Sequence, residues 1–187
     1  MTRHGLTPEF SICLLPDQAT QDDVEAIRQT LPPSPYRDDT PHLTLLRTIK
    51  CPSLVEDDAL LQQVDSLLEL SNSLPLEATT VGALNAFSPI YKMSSGILLE
   101  TSDKMTAYRA SCIARFKANG FTLSPTQSLQ FRPHITIRLG APMPQQVQTR
   151  ASESFPVGRT IAFGAWVVFR VVYQDGKRMM KELYPTS

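Results

Sequence analysis

Long apolar runs are missing from this 187-residue chain. The longest, Ile161 to Phe169, contains Gly164 and stops at Arg170. A bilayer-spanning helix needs about 20 apolar residues, so this run reads as a buried strand and no membrane contact is expected. Residues 1–5 lack the apolar centre of a secretory signal peptide. Cysteine is scarce: Cys13, Cys51 and Cys112 are widely spaced and make neither a CxxC metal clip nor an even disulfide set. Reduced, buried thiols in a cytoplasmic protein are the expected reading. The standard nucleophile and nucleotide signatures are also missing. There is no G-x-S-x-G elbow, no P-loop and no G-x-G-x-x-G, which sets aside ordinary serine hydrolases and ATPases.

Net charge is zero, with 18 Lys/Arg against 18 Asp/Glu, which argues against non-specific coating of nucleic acid. The two halves differ, however. Residues 1–93 carry 6 Lys/Arg and 13 Asp/Glu, a net of −7, while residues 94–187 carry 12 and 5, a net of +7. A basic half fits a local site for a phosphorylated ligand, and Arg132, Arg138 and Lys177 are the cations expected to carry it; a salt-bridged surface is the ordinary alternative. Hydrophobic content of 42% and charged content of 19% describe a globular chain with a real core. Its length suits one domain.

The pattern of elements repeats. Residues 9–15 predict a strand, and residues 17–31 a helix with Val24, Ile27 and Leu31 inside and prolines after it. Residues 42–49 predict a second strand. Ser53-Leu54-Val55-Glu56 reads as a capping box opening a helix through residue 70, with Leu60, Val64, Leu67 and Leu68 buried. Residues 76–84 predict a strand. The order then returns: a strand over 96–101, a helix capped by Ser102 with Met105, Tyr108, Cys112 and Phe116 inside and Gly120 closing it, and a strand over 131–139. A weaker helix over 142–154, one or two strands over 160–172 and an edge over 178–184 follow. No linker parts the copies, so residues 1–187 are expected to form a single two-lobed domain, with approximate repeat halves 8–90 and 94–184.

Each copy carries one motif: Pro41-His42-Leu43-Thr44-Leu45 and Pro133-His134-Ile135-Thr136-Ile137. Only three histidines exist, and the third, His4, lies near the start of the chain. Alternate residues of a strand share a face and stand about 6.6 Å apart along it. His42 and Thr44 therefore project together, as do His134 and Thr136, while the aliphatic residues anchor the strand behind them. A phosphodiester needs such a set. One neutral imidazole takes a proton from the attacking group and one imidazolium gives a proton to the leaving oxygen. Threonine hydroxyls donate to the non-bridging oxygens. A lone His-x-Thr in a strand is most often structural; two matching copies in a repeated setting are not easily coincidental. Zinc is the rival use of two histidines, but it needs three or four protein ligands, and no acidic or cysteine cluster offers them. Strand alternation also puts Arg132 and Arg138 on the face of His134, where either guanidinium can hold a phosphate; Arg47 falls on the face opposite His42.

These residues resemble the 2H phosphoesterase superfamily, and within it the bacterial 2',5' RNA ligase-like and RNA 2',3'-cyclic phosphodiesterase proteins. The resemblance is carried by the two motifs, supported by Phe10-Ser11-Ile12-Cys13-Leu14-Leu15-Pro16. It implies an α+β fold of two pseudo-symmetric lobes, with antiparallel sheets lining a central cleft and helices outside. It implies His42 and His134 as the acid–base pair, with Thr44 and Thr136 holding the phosphate. It further implies metal-free, cofactor-free action on 2',3'-cyclic phosphate ends of RNA or nucleotides, or on 2',5' linkages, with ligation as a possible reverse reaction. The expected partner is an RNA end or a small nucleotide; no protein partner is required and a monomer is expected. Family members of the RNA ligase type often carry an arginine five positions after the second histidine; here that position is Leu139.

Two alternatives differ in substrate or in turnover. A phosphodiesterase of cyclic nucleotide or cyclic oligonucleotide signals would use the same pair and add stacking aromatics, for which Phe10, Phe87, Tyr91 and Phe131 are candidates beside their ordinary role in packing. A non-catalytic RNA-end or nucleotide-binding module would keep the cleft without needing a paired acid and base.

Overall fold

Alternation in the first strand, β1 (Glu9–Pro16), separates two faces. Phe10, Ile12 and Leu14 enter the main core, while Cys13 and Leu15 join a small second cluster with Val167 and Phe169. The structure is a computed structural model that describes residues 9–34, 39–53, 55–85, 94–125, 131–140, 142–174 and 177–185.

After β1 come α1 (Gln18–Arg28), β2 (Leu43–Lys50), α2 (Asp57–Leu68), the short α3 (Leu70–Ser73), β3 (Leu76–Asn85) and β4 (Ser95–Thr101). Then follow α4 (Asp103–Ala118), β5 (Thr122–Leu123), β6 (His134–Arg138), α5 (Gln145–Ser154), β7 (Thr160–Gln174) and β8 (Lys177–Leu183). The strands run β1-β2-β6-β4-β3-β7, and β7 pairs back onto β1, so the sheet closes into a ring. Every pairing is antiparallel; β5 extends β2, and β8 flanks β7. This is the expected α+β architecture with antiparallel sheets and helices outside.

Local chemistry explains several helix ends. Asp17 caps α1 by accepting from the Thr20 amide at 2.8 Å, and Ser102 caps α4 by accepting from Met105 at 3.2 Å. Gly120 at φ +81° supplies the left-handed turn that closes α4. The capping box at residues 53–56 does not form: α2 begins at Asp57, and Glu56 precedes it with no side-chain cap bond. Asp57 instead binds Arg170 and Lys181 of β7 and β8, so tertiary ion pairs fix where this helix starts. A left-handed Glu69, φ 51°, ends it before residue 70.

The helices cross between sequence halves. α1 packs on β6 and α5, whereas α4 packs on β2, β5 and α2. Each motif strand is thus backed by a helix from the other half. Phe10 of β1 meets Phe116 of α4 and Phe121, both at 6.1 Å between ring centroids. Phe10 is therefore core, not a stacking platform.

Candidate active site

β2 and β6 are neighbours in the ring, joined where Leu43 and Ile135 are Cα partners. Leu43, Leu45, Ile135 and Ile137 are all buried in the main core. One residue to either side of that pair, the register sets His42 opposite Thr136 and Thr44 opposite His134. Directly opposed residues stand about 5 Å apart at Cβ and diagonal ones about 7–8 Å. The two imidazoles therefore occupy one diagonal of a four-residue array and the two hydroxyls the other. Gly96 of β4 lies beside Thr136 and adds no side chain to that floor.

Both histidines are held in the same way. His42 Nδ1 lies 2.7 Å from the Thr40 carbonyl, and His134 Nδ1 lies 2.9 Å from the Arg132 carbonyl. A carbonyl only accepts, so Nδ1 carries the hydrogen in each ring. Nε2 is left with its lone pair in the neutral form and with a transferable proton in the charged one. The bond also fixes the ring's orientation.

Their surroundings differ. His42 packs against Phe169 with ring centroids 4.5 Å apart. Burial pulls its pKa down to about 4 against the bond it donates to Thr40, and the positive charges of His134 and Arg28 lower it further. His134 is lowered too, first by burial and then by Arg47, with the bond to Arg132 opposing. Behind His42, Thr40 donates through Oγ1 to Glu182 at 2.9 Å, and Tyr184 donates to the same carboxylate at 2.5 Å. Thr40 and Glu182 lie 142 residues apart in sequence, and no local pattern announces their meeting.

The arginines depart from strand alternation. Ser95 pairs with Arg138 and Gly96 with Thr136, so one step on β4 spans two on β6. This bulge reverses the parity after Thr136. Arg138 is turned away from His134 and is only 9% exposed, donating to the carbonyls of Leu31 at 3.0 Å and Pro32 at 2.6 Å. Arg132 is exposed, and its carbonyl rather than its guanidinium meets His134. A matching irregularity on β2, where Cys13 pairs with Thr44 but Ile12 with Leu46, returns Arg47 to the face of Thr44. Phe131 is half-buried under the Arg109 guanidinium, 4.2 Å from its centroid. His4, Phe87 and Tyr91, and the side chain of Lys177, lie outside the described residues.

Sequence reasoning missed Arg28. It is 5% exposed and reaches from α1 to the backbone of β6, donating to Ile137 O at 2.6 Å and Thr136 O at 3.2 Å. Among the described residues no group of three or more His, Cys, Asp or Glu side chains gathers in metal-binding geometry, and no helix is long and apolar enough to cross a membrane.

The family model of the 2'-5' RNA ligase superfamily matches residues 15–162, most of the chain and both motifs. The chain belongs to that superfamily. The resemblance to 2H phosphoesterases read from the two motifs agrees with this assignment, and the superfamily is one of phosphoesterase and ligase enzymes. No curated protein matches the chain in sequence. Solved structures match over nearly its whole length. The Thermus thermophilus protein TT0787 is 16% identical with a TM-score of 0.59, covering 94% of each chain. LigT of E. coli, solved in apo form and with 3'-AMP, is 14% identical with a TM-score of 0.53, covering 97% of this chain and all of that one. A crystal structure of a phosphoesterase covers the same shares at 14% identity and a TM-score of 0.56. At these identities the likenesses establish the shared fold.

Proposed function

We propose that this member of the superfamily is a metal-independent phosphodiesterase acting on 2',3'-cyclic phosphate ends of RNA or nucleotides, or on 2',5' linkages, through His42 and His134. The observation that carries this reading is the diagonal array: two imidazoles with Nδ1 tied to their own i−2 carbonyls, crossed by Thr44 and Thr136 on paired strands. The bound 3'-AMP of LigT is a nucleoside monophosphate, the product class such a reaction would give.

In the proposed mechanism His42, the ring with the lower pKa, is neutral near pH 7 and takes a proton from the attacking water through Nε2. His134 in its imidazolium form gives the Nε2 proton to the leaving ribose oxygen. Thr44 and Thr136 donate to the non-bridging oxygens as charge builds there. The decisive experiment incubates the protein in EDTA with 2',3'-cyclic nucleotides, an RNA ending in a 2',3'-cyclic phosphate and 2',5'-linked dinucleotides, beside a His42→Ala/His134→Ala double variant. Turnover by the wild type alone is expected. Turnover that EDTA abolishes, or that the double variant retains, would overturn the reading.

A pH profile tests the roles. The base works only above its pKa and the acid only below its own. A His42 pKa of about 4 extends the active range downward. Depression of His134 below 6.5 pulls the alkaline limb down as well. The kcat/KM profile is expected to be a bell displaced to the acid side, since that ratio reports the free enzyme. The kcat profile should sit at higher pH, because a bound phosphate anion favours imidazolium. A kcat/KM profile that rises only above pH 7 would remove His42 as the base.

A further inference from the structure

We propose that Arg47 is the cation that holds the phosphate in this cleft, reaching its non-bridging oxygens from β2 beside Thr44. The inference rests on the phosphodiester reading above and adds a substrate-binding residue to it. Strict alternation from His42 turns Arg47 away, and the break in the β1–β2 ladder that precedes it brings it back, with a second break following at Leu46–Ile49. Between Ile12 and Cys13 one step on β1 spans two on β2, from Leu46 to Thr44. Between Phe10 and Ile12 two steps span three, from Ile49 to Leu46. Leu45 and Leu46 are consequently both buried, and Arg47 takes the face of Thr44 and Cys13.

Both breaks are braced. The carbonyl of Leu45 accepts from Arg109 Nε at 3.0 Å, and the amide of Thr48, at φ 51°, donates to Ser11 Oγ at 3.0 Å. A non-glycine residue in the left-handed region is strained and persists where its surroundings over-determine it. Here the outcome of that strain is one side chain, Arg47, exposed on the motif face. Its charge is felt by His134 on the neighbouring strand and by Cys13. Arg138, which alternation would place beside His134, is committed to the carbonyls of Leu31 and Pro32. A guanidinium offers planar, paired donors suited to phosphate oxygens.

The test compares wild type with Arg47→Gln and Arg47→Lys in three measurements: affinity for inorganic phosphate, turnover of 2',3'-cyclic AMP, and the NMR titration of His134. Arg47→Gln is expected to weaken phosphate binding about 10-fold and to cut kcat/KM about 100-fold, a loss typical of a removed oxyanion donor. Arg47→Lys should recover part of both, since charge remains while paired donation is lost. In Arg47→Gln, His134 should titrate at higher pH, a shift that a purely structural role would not produce. If the wild type turns over no cyclic phosphate, the phosphodiesterase reading fails, and phosphate affinity with the His134 titration still decides Arg47. Phosphate affinity and a His134 titration unchanged in Arg47→Gln would overturn the proposal.

Discussion

His42→Ala and His134→Ala are each expected to lower kcat/KM on a 2',3'-cyclic phosphate by about 10²–10⁴-fold, the range of one general acid or base. Each ring donates its Nδ1 hydrogen to a carbonyl two residues back, so each loss removes one proton carrier and one local backbone brace. The double variant should fall little below the worse single one, because acid and base act in the same step and their losses do not multiply. The folds should survive differently. His134 is half-buried, and its removal should lower the unfolding midpoint less than that of His42. His42 also packs on Phe169, and its truncation should cost about 1 kcal/mol. Steady-state kinetics with urea unfolding reads both. Either single variant at wild-type activity would end the two-histidine mechanism.

Arg28→Ala should be the most damaging change away from the motifs. Removing the guanidinium takes donors from two carbonyls on β6, those of Thr136 and Ile137. Hydrogen bonds from charged groups contribute about 1.5–3 kcal/mol each. Its ion-pair partner Glu25 is half exposed and regains water, so the net loss should be about 2–4 kcal/mol. In a domain of this size that lowers Tm by about 5–15 °C. Turnover should also fall, about 10-fold, because Thr136 is presented by the strand that Arg28 grips and small misplacement at a reacting group is costly. Arg28→Lys keeps the charge without the fork and should restore only part of either. A variant with unchanged Tm would show that β6 is held by the sheet alone.

The motif strands were legible because a strand's two-residue period is rigid over five residues: Leu43 and Ile135 go to the core and their neighbours to the cleft. The same rule fails one step later. Bulges after Thr44 and Thr136 add one residue each, and nothing in Leu45-Leu46-Arg47 or Ile137-Arg138 marks them. Arg47 and Arg138 therefore exchange the faces that alternation assigns. The bracing groups, Ser11 and Arg109, are 37 and 64 residues distant from what they hold. Ser102 and Gly120 acted as written because capping is local. Ser53 to Glu56 had the right letters for a cap but lost to Asp57, whose partners Arg170 and Lys181 come more than a hundred residues later. The helix crossing that sets Arg28 on β6 is likewise a property of the assembled ring, not of any segment.

Closure of that ring has a kinetic consequence. β1 is made long before β7, yet one of its edges is completed by it, with Phe10 paired to Arg170 and Pro16 to Phe163. During synthesis on the ribosome β1 therefore waits with an open edge until β7 has emerged. Contacts so distant in sequence form slowly, since their loop entropy is lost before any pairing energy returns. An unpaired apolar strand is also a template for other chains. Sealing of β1 against β7 is thus expected to be the late, rate-limiting event of folding, and the interval before it the period of greatest exposure to aggregation and to chaperones.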